Sequence, residues 1–530
     1  MKNRWMLFST VACGAILALI LGLAAQKVEA AGGSRLDGGP VHADRGAALF
    51  AMTAVTTTET RIAVDKATAT LAVTNGSEIG YDFVLSSMGP YGNADYDALN
   101  PAVAYNSQDN QYLVVWSGSD DIVGEYEIWG QRVNAATGAQ IGADFQISFM
   151  GPADDPDYDA EEPDVAYNSQ SNEYLVVWSA DHYADGEFEI FARRVDADGD
   201  LLGSMARVSV MGPGVDPNYD ATDPAVAYNS IDNMYLVVWD GDDDTGALVD
   251  GEFEIWGRRL NASAEMLAAQ FRISDMGPDG DADYDARDPD VAYSGVSGYE
   301  YLVVWEGDSN TGLLANNEFE IWGQQLEADG DETGTNDFRI SDMGESGDAD
   351  LDALNPAVAY NSTDYQYLVV WEGDDYTADE FDIFGQRLNG YNCNEMGAND
   401  FHLSHVGSGP NGDYDALNPA VAYDQYNNEY LVVWQDDELG VAEFEIWGQQ
   451  VNAATGAAVG IDTRLSDMGP DGDADHIAQT PAVAYSGASN NQYLVTWSGD
   501  NSTDGEFEIW AQRFTGGYKV YLPLVMRNYP

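Results

Sequence analysis

The chain has 530 residues, with 21 Lys+Arg against 91 Asp+Glu and a formal net charge of −70. That balance excludes ordinary nucleic-acid binding, which needs clustered bases, and argues against docking on anionic lipid. A hydrophobic content of 45% and an aromatic content of 12% exclude a disordered acidic chain.

Residues 1–30 read as a secretory signal peptide. Lys2 and Arg4 form a positive n-region, Val11 to Ala25 is apolar, and Val28-Glu29-Ala30 resembles a small-residue cleavage site. The apolar run is short for a membrane span, so a secreted or cell-surface product without a retained span is expected. Cleavage removes Cys13 and leaves Cys393 alone, so no intramolecular disulfide is expected. Residues 31–78 are rich in Ala, Thr and Gly and read as a linker or a loosely docked segment.

Residues 79–515 repeat. A Pro-x-Val-Ala-Tyr element begins at Pro101, Pro163, Pro224, Pro289, Pro356, Pro419 and Pro481, at intervals of 61 to 67 residues. Seven copies at that period mean a propeller or a solenoid. Each copy carries strand-like runs, as in Pro101–Ser107, Tyr112–Trp116, Glu125–Val133 and Phe145–Ser148. They are β-branched and aromatic, with turn residues between them and no competing helical period. The ends decide between ring and open stack. A fourth-strand copy, Phe83–Ser86, precedes the first repeat, and the last repeat has no obvious fourth strand after Phe514. The early strand therefore completes the last sheet, whereas an open solenoid would need caps. An all-β, seven-bladed propeller of four-stranded antiparallel blades is expected.

The order of motifs, an aliphatic-Ala-Tyr strand, a Tyr-Leu-Val-Val-Trp strand and a Glu-Ile-Trp strand, resembles WD40-like and TolB-type propeller repeats. That resemblance implies the fold and no activity. In the tail, 516–530, the run Tyr521-Leu522-Pro523-Leu524-Val525 and Arg527 resembles terminal tails of secreted proteins of Chloroflexi-type bacteria. A final docking strand is the plain alternative.

Strands alternate direction, so the four-to-one and two-to-three loops share one face of the disc. Both sets are acidic. The first carries Asp95 and Asp97, Asp157 and Asp159, Asp220, Asp283 and Asp285, Asp350 and Asp352, and Asp413 and Asp415. The second leads into Glu125, Glu187, Glu252, Glu318, Glu380, Glu443 and Glu506. Packed carboxylates repel one another, and a Ca²⁺ ion bound by several oxygens removes that cost. These residues are therefore the candidate metal ligands, with one Ca²⁺ per blade shared between the two loops. The spacing only partly matches a calcium loop. A solvated, Lys-poor surface like those of salt-adapted proteins, or a face that recruits a basic partner, accounts for the same charge.

Catalysis needs a constellation that stands out, and repetition argues against one. No Gly-x-Ser-x-Gly elbow, His-Glu-x-x-His or phosphate loop occurs. Periodic Trp residues read as inter-blade core before sugar platforms. Cys393, His402 and His405 have a zinc-like spacing, but both histidines replace other residues of the fourth-strand repeat, so drift is preferred. The sequence thus points to a monomeric, non-catalytic binding or adhesion scaffold, calcium-stabilised, with a polysaccharide or protein partner at the acidic face. The alternative is a carbohydrate-active enzyme, a glycoside hydrolase or lyase using propeller-face carboxylates.

Overall fold

A computed structural model describes residues 76–516, apart from loop positions 91–92, 121–122, 153–154, 215, 244–245, 310–313, 345–346, 348, 375–379, 405–413, 438–441, 471–473, 488–489 and 502–504. The signal peptide, nearly all of segment 31–78, nearly all of the tail, Asp413 and His405 lie outside the described residues.

Seven antiparallel sheets follow one another along the chain. Blade 1 consists of Ala98–Asn106, Gln111–Gly118, Glu127–Asn134 and Gln140–Gln146, from the axis outwards. The inner strands of blades 2 to 7 are Ala160–Asn168, Ala221–Asn229, Ala286–Val296, Ala353–Asn361, Ala416–Asp424 and Ala478–Tyr485. Each packs beside the next, and the last packs beside the first, so the ring is closed. Blade 7 takes its outer strand from the start of the propeller, as expected, but in two pieces. Ser77–Glu78 and Phe83–Val84 both pair antiparallel with Glu508–Thr515.

The second strand reads as a continuous apolar run because both of its faces are buried. Leu113 and Val115 pack with Tyr174, Val176 and Trp178 of blade 2, whereas Tyr112, Val114 and Trp116 pack with Leu494 and Ile509 of blade 7. Trp116, Trp178, Trp239, Trp305, Trp371, Trp434 and Trp497 are fully buried. These tryptophans are inter-blade core.

Every inner strand carries the same irregularity. Leu99 pairs with Ser117 and Ala102 with Val115, so Asn100 and Pro101 together face Trp116. This β-bulge recurs at Glu162, Asp223, Asp288, Asn355, Asn418 and Thr480. All seven residues before the proline have left-handed backbone, with φ between 47° and 52°. Proline disfavours the right-handed helical region for its predecessor, and bulges re-aim side chains. Here they set a ring of seven side chains around the axis.

The split outer strand of blade 7 gives a test of closure. Deleting the chain through Val84 leaves the Ala511 and Trp510 edge unpaired, an invitation to edge-to-edge association. We expect a lower melting temperature and concentration-dependent self-association on size-exclusion chromatography. A deletion that stays monomeric and melts like the full chain would refute the closing role.

Candidate functional site

The acidic loops share one face, and the structure shows what their carboxylates do. In four of these loops the first acid, Asp95, Asp157, Asp283 or Asp350, is exposed, and where a loop has a second acid that acid is half-buried. The second acid accepts a backbone N–H from the third strand of the preceding blade. Asp159 accepts from Tyr126 at 2.9 Å, Asp220 from Phe188 at 2.9 Å and Asp285 from Phe253 at 3.1 Å. Asp352, Asp415 and Asp97 accept from Phe319, Phe381 and Phe507 at 2.9, 3.1 and 3.1 Å.

The glutamates leading into strand three are also engaged in loop bonding. Glu252 accepts from Val249 and Gly280, and Glu318 from Ala315 and Gly347. Glu187 contacts Arg207 at 3.2 Å, and Glu506 accepts from Asn93 at 3.3 Å. Glu125 and Glu380 are half-buried, and Glu443 is buried. Two residues further on, Glu127 accepts the Ser148 hydroxyl and the Met150 N–H rather than pairing with Arg132. Glu189, Glu254, Glu320, Glu445 and Glu508 repeat that arrangement. Among the described residues no group of three or more His, Cys, Asp or Glu side chains converges as metal ligands.

The sequence reading passed over the axis. A cavity of about 420 Å³ opens there, lined by the seven bulge residues and their prolines. It lies towards the acidic face, because each inner strand starts from the four-to-one loop. The lining is not seven-fold. Blades 2, 3 and 4 contribute Glu162, Asp223 and Asp288, whereas blades 5, 6, 7 and 1 contribute Asn355, Asn418, Thr480 and Asn100. Behind this ring lies a second position, at the end of strand two. There blades 3, 4 and 5 carry Asp240, Glu306 and Glu372, while blades 6, 7, 1 and 2 carry Gln435, Ser498, Ser117 and Ser179. Acids therefore crowd one arc, from blade 2 to blade 5.

Several of these positions also tie one blade to the next. Glu162 accepts the Asp223 N–H at 3.1 Å and the Ser179 hydroxyl at 3.1 Å. Glu306 accepts the Asn355 N–H at 2.8 Å, and Glu372 accepts the Asn418 N–H at 2.5 Å. Gln435 does the same for Thr480 at 2.9 Å, so an amide suffices for the tie. The charge of Glu162 raises Asp223, and that of Asp288 raises Glu306.

Burial dominates the electrostatics of the arc. It raises Asp223 and Glu306 well above the usual carboxylate range, and mutual repulsion adds to the shift. Asp240 is pushed up to about 8, and Glu161 and Glu372 to about 7. Arg287, which pairs with Asp285 at 3.2 Å and stacks over Phe253, lowers Asp240 and Asp288 without reversing the effect. Burial thus favours the protonated form along the arc, the form a general acid needs.

No family model matches the chain, and no curated protein matches it. Solved structures of differently named proteins resemble it. The polysaccharide lyase Uly1 shares 8% identity, with 81% of this chain and 92% of that one covered and a TM-score of 0.46. The α-L-arabinofuranosidase Arb93A of Fusarium graminearum shares 9% identity over 83% and 97% of the two chains, with a TM-score of 0.42. The β-propeller domain of the Trilobed protease of Pyrococcus furiosus shares 11% identity over 82% and 98%, also at 0.42. At these identities the likeness concerns architecture.

The shifted acids fix a pH dependence. A folded-state pKa above the unfolded one contributes stability that is complete below about pH 4 and is lost as pH rises through the folded value. For Glu161, Glu372 and Asp240 the loss falls between about pH 4 and pH 8. The chain is expected to melt at higher temperature at pH 5 than at pH 8, and Asp240→Asn should narrow the gap. Calorimetric melting that improves steadily from pH 5 to pH 8 would contradict this.

Proposed function

We propose that the protein is a carbohydrate-active propeller working at the acidic mouth of its axial cavity, with Glu162, Asp223 and Asp288 as the groups that meet substrate. One observation carries this reading: the repeat loses its seven-fold equivalence at the axis, where carboxyl groups raised by burial occupy one arc and neutral amides and hydroxyls the other. That asymmetry supplies the constellation whose absence argued against catalysis. A carboxylic acid still protonated near neutrality can donate to a glycosidic oxygen, and its ionised partner can act as a base in hydrolysis or elimination. Asn100, Asn418 and Thr480, on the opposite arc, offer uncharged donors and acceptors to sugar hydroxyls. Export belongs to the same proposal and rests on the N-terminal sequence. So does kinship with WD40-like or TolB-type repeats, which rests on the motif order.

Incubation with a panel of polysaccharides, followed for new reducing ends and for the ultraviolet absorbance of unsaturated products, tests the proposal. Asp223→Asn and Asp288→Asn are each expected to cut the rate by roughly 100-fold or more, as removal of a general acid or base does. No product from any polysaccharide, or full activity in both variants, would sink it.

A calcium-stabilised, non-catalytic scaffold is the second reading, and one detail favours the metal. Glu187 Oε2 and Asp242 Oδ1 are buried without hydrogen-bond partners, and both feel the charge of Asp220. Like-charged buried oxygens are what a hard divalent cation relieves. Millimolar Ca²⁺ should then raise the melting temperature and a chelator reverse it, with Glu187→Gln weakening the response. Identical melting curves in Ca²⁺ and chelator would remove calcium from the account.

A further inference from the structure

The face opposite the acidic loops carries its own repeated device; blade 4 ends that hairpin with Gly298 and leaves the Tyr293 hydroxyl without a partner, and blade 5 departs from it with a tyrosine. Tyr105, Tyr167, Tyr228, Tyr423 and Tyr485 donate their hydroxyls to Asn110, Asn172, Asn233, Asn428 and Asn491 at 2.8 to 3.0 Å. Each of those asparagines ends a one-to-two hairpin with φ between 51° and 56°, a left-handed backbone that Asn tolerates. In blade 5 the position is Tyr365, with φ 55°. A bulky side chain is strained there. The exchange also removes the acceptor, and the Tyr360 hydroxyl is left buried without a partner. One residue thus incurs two costs.

The departure is coordinated with the neighbouring hairpin. Tyr365 stacks on Tyr391, with ring centroids 5.8 Å apart and an interplanar angle of 26°. Both rings face solvent, at 49% and 46% exposure. Between them, Gly390 donates its N–H to the Tyr365 carbonyl at 2.9 Å, and a Cβ at Gly390 would sit 2.7 Å from that oxygen. In blades 1 and 6 the same bond is made by Ala135 and Ala453, where a methyl fits. Strain of this kind persists where it serves a function.

We infer that the Tyr365–Tyr391 pair is a stacking platform for a sugar ring of a neutral glycan. Two adjacent aromatic faces rimmed by hydroxyls match the apolar C–H face of a sugar and its equatorial hydroxyls. Charge selects the neutral class. Asp364 adjoins the platform, and Arg387, the blade's arginine, is turned onto the Ala454 carbonyl at 2.6 Å. An anionic sugar would meet no counter-charge on a chain of net charge −70. The platform lies on the other face from the axial carboxyls and stands without the chemistry proposed for them.

Affinity electrophoresis of the full chain through gels containing xylan, arabinan, galactomannan or mixed-linkage glucan, with alginate as the anionic control, tests the platform. Retardation by at least one neutral polysaccharide and not by alginate is expected. Tyr391→Ala should weaken it roughly three- to tenfold, the worth of one aromatic stacking partner. Tyr365→Asn restores the residue of the other blades, so it should weaken binding while raising the melting temperature by roughly one or two degrees. The inference is overturned if the wild type runs unretarded in every neutral gel or if Tyr365→Asn binds undiminished.

Discussion

Where one blade meets the next, carboxylate oxygens take up backbone N–H groups that the sheets leave open. Seven twisted sheets around an axis cannot satisfy their rims with strand pairing alone, and an N–H buried without a partner costs about 1–3 kcal/mol. Asp97, Asp159, Asp220, Asp285, Asp352 and Asp415 meet that need across blade boundaries on the loop side. Glu162, Glu306 and Glu372 meet it at the axis. Much of the chain's acidity is therefore architectural, with each acid fixed by the geometry of a blade junction.

That solution has an electrostatic consequence. Accepting an N–H favours the ionised carboxylate, while burial opposes it, and in the Glu127, Glu320, Glu445 and Glu508 positions burial prevails, with pKa values near 7. Only some blades temper it with an arginine, as where Arg339 lies 3.3 Å from Glu320. The repeats contain no lysine between Lys66 and Lys519. The fold thus carries a store of acids that titrate around neutrality, and the axial arc is its densest part.

The architecture was legible because its causes are periodic. Doubly buried Tyr-Leu-Val-Val-Trp strands, a Pro-x-Val-Ala-Tyr inner strand and a displaced fourth-strand copy at Phe83 dictate a closed ring, since each is forced by packing. The role of the loop acids was less legible. Asp95 and Asp97 look alike in sequence, yet one is exposed and the other accepts the Phe507 N–H, and only the blade-to-blade fit separates them. The axial arc was missed for a different reason. Its residues sit immediately before the prolines that define the repeat, at a place where variation from Asn to Glu or Asp reads as drift. That drift matters only once the bulge is seen to turn every such side chain towards one cavity.

In a repeat protein, constancy reports what the fold requires and departure reports what it does not. An acid is not needed to tie the inner strands, because Gln435 makes the same bond to Thr480 that Glu306 makes to Asn355. Acids crowd the arc from blade 2 to blade 5 even though burial raises their pKa values and amides would hold the ring at less electrostatic cost. Tyr365 likewise stands where Asn relieves strain and completes a hydrogen bond in five other blades. Both departures are locally unfavourable, both are clustered and both border open space. Neither folding nor burial therefore accounts for the residues at these two sites.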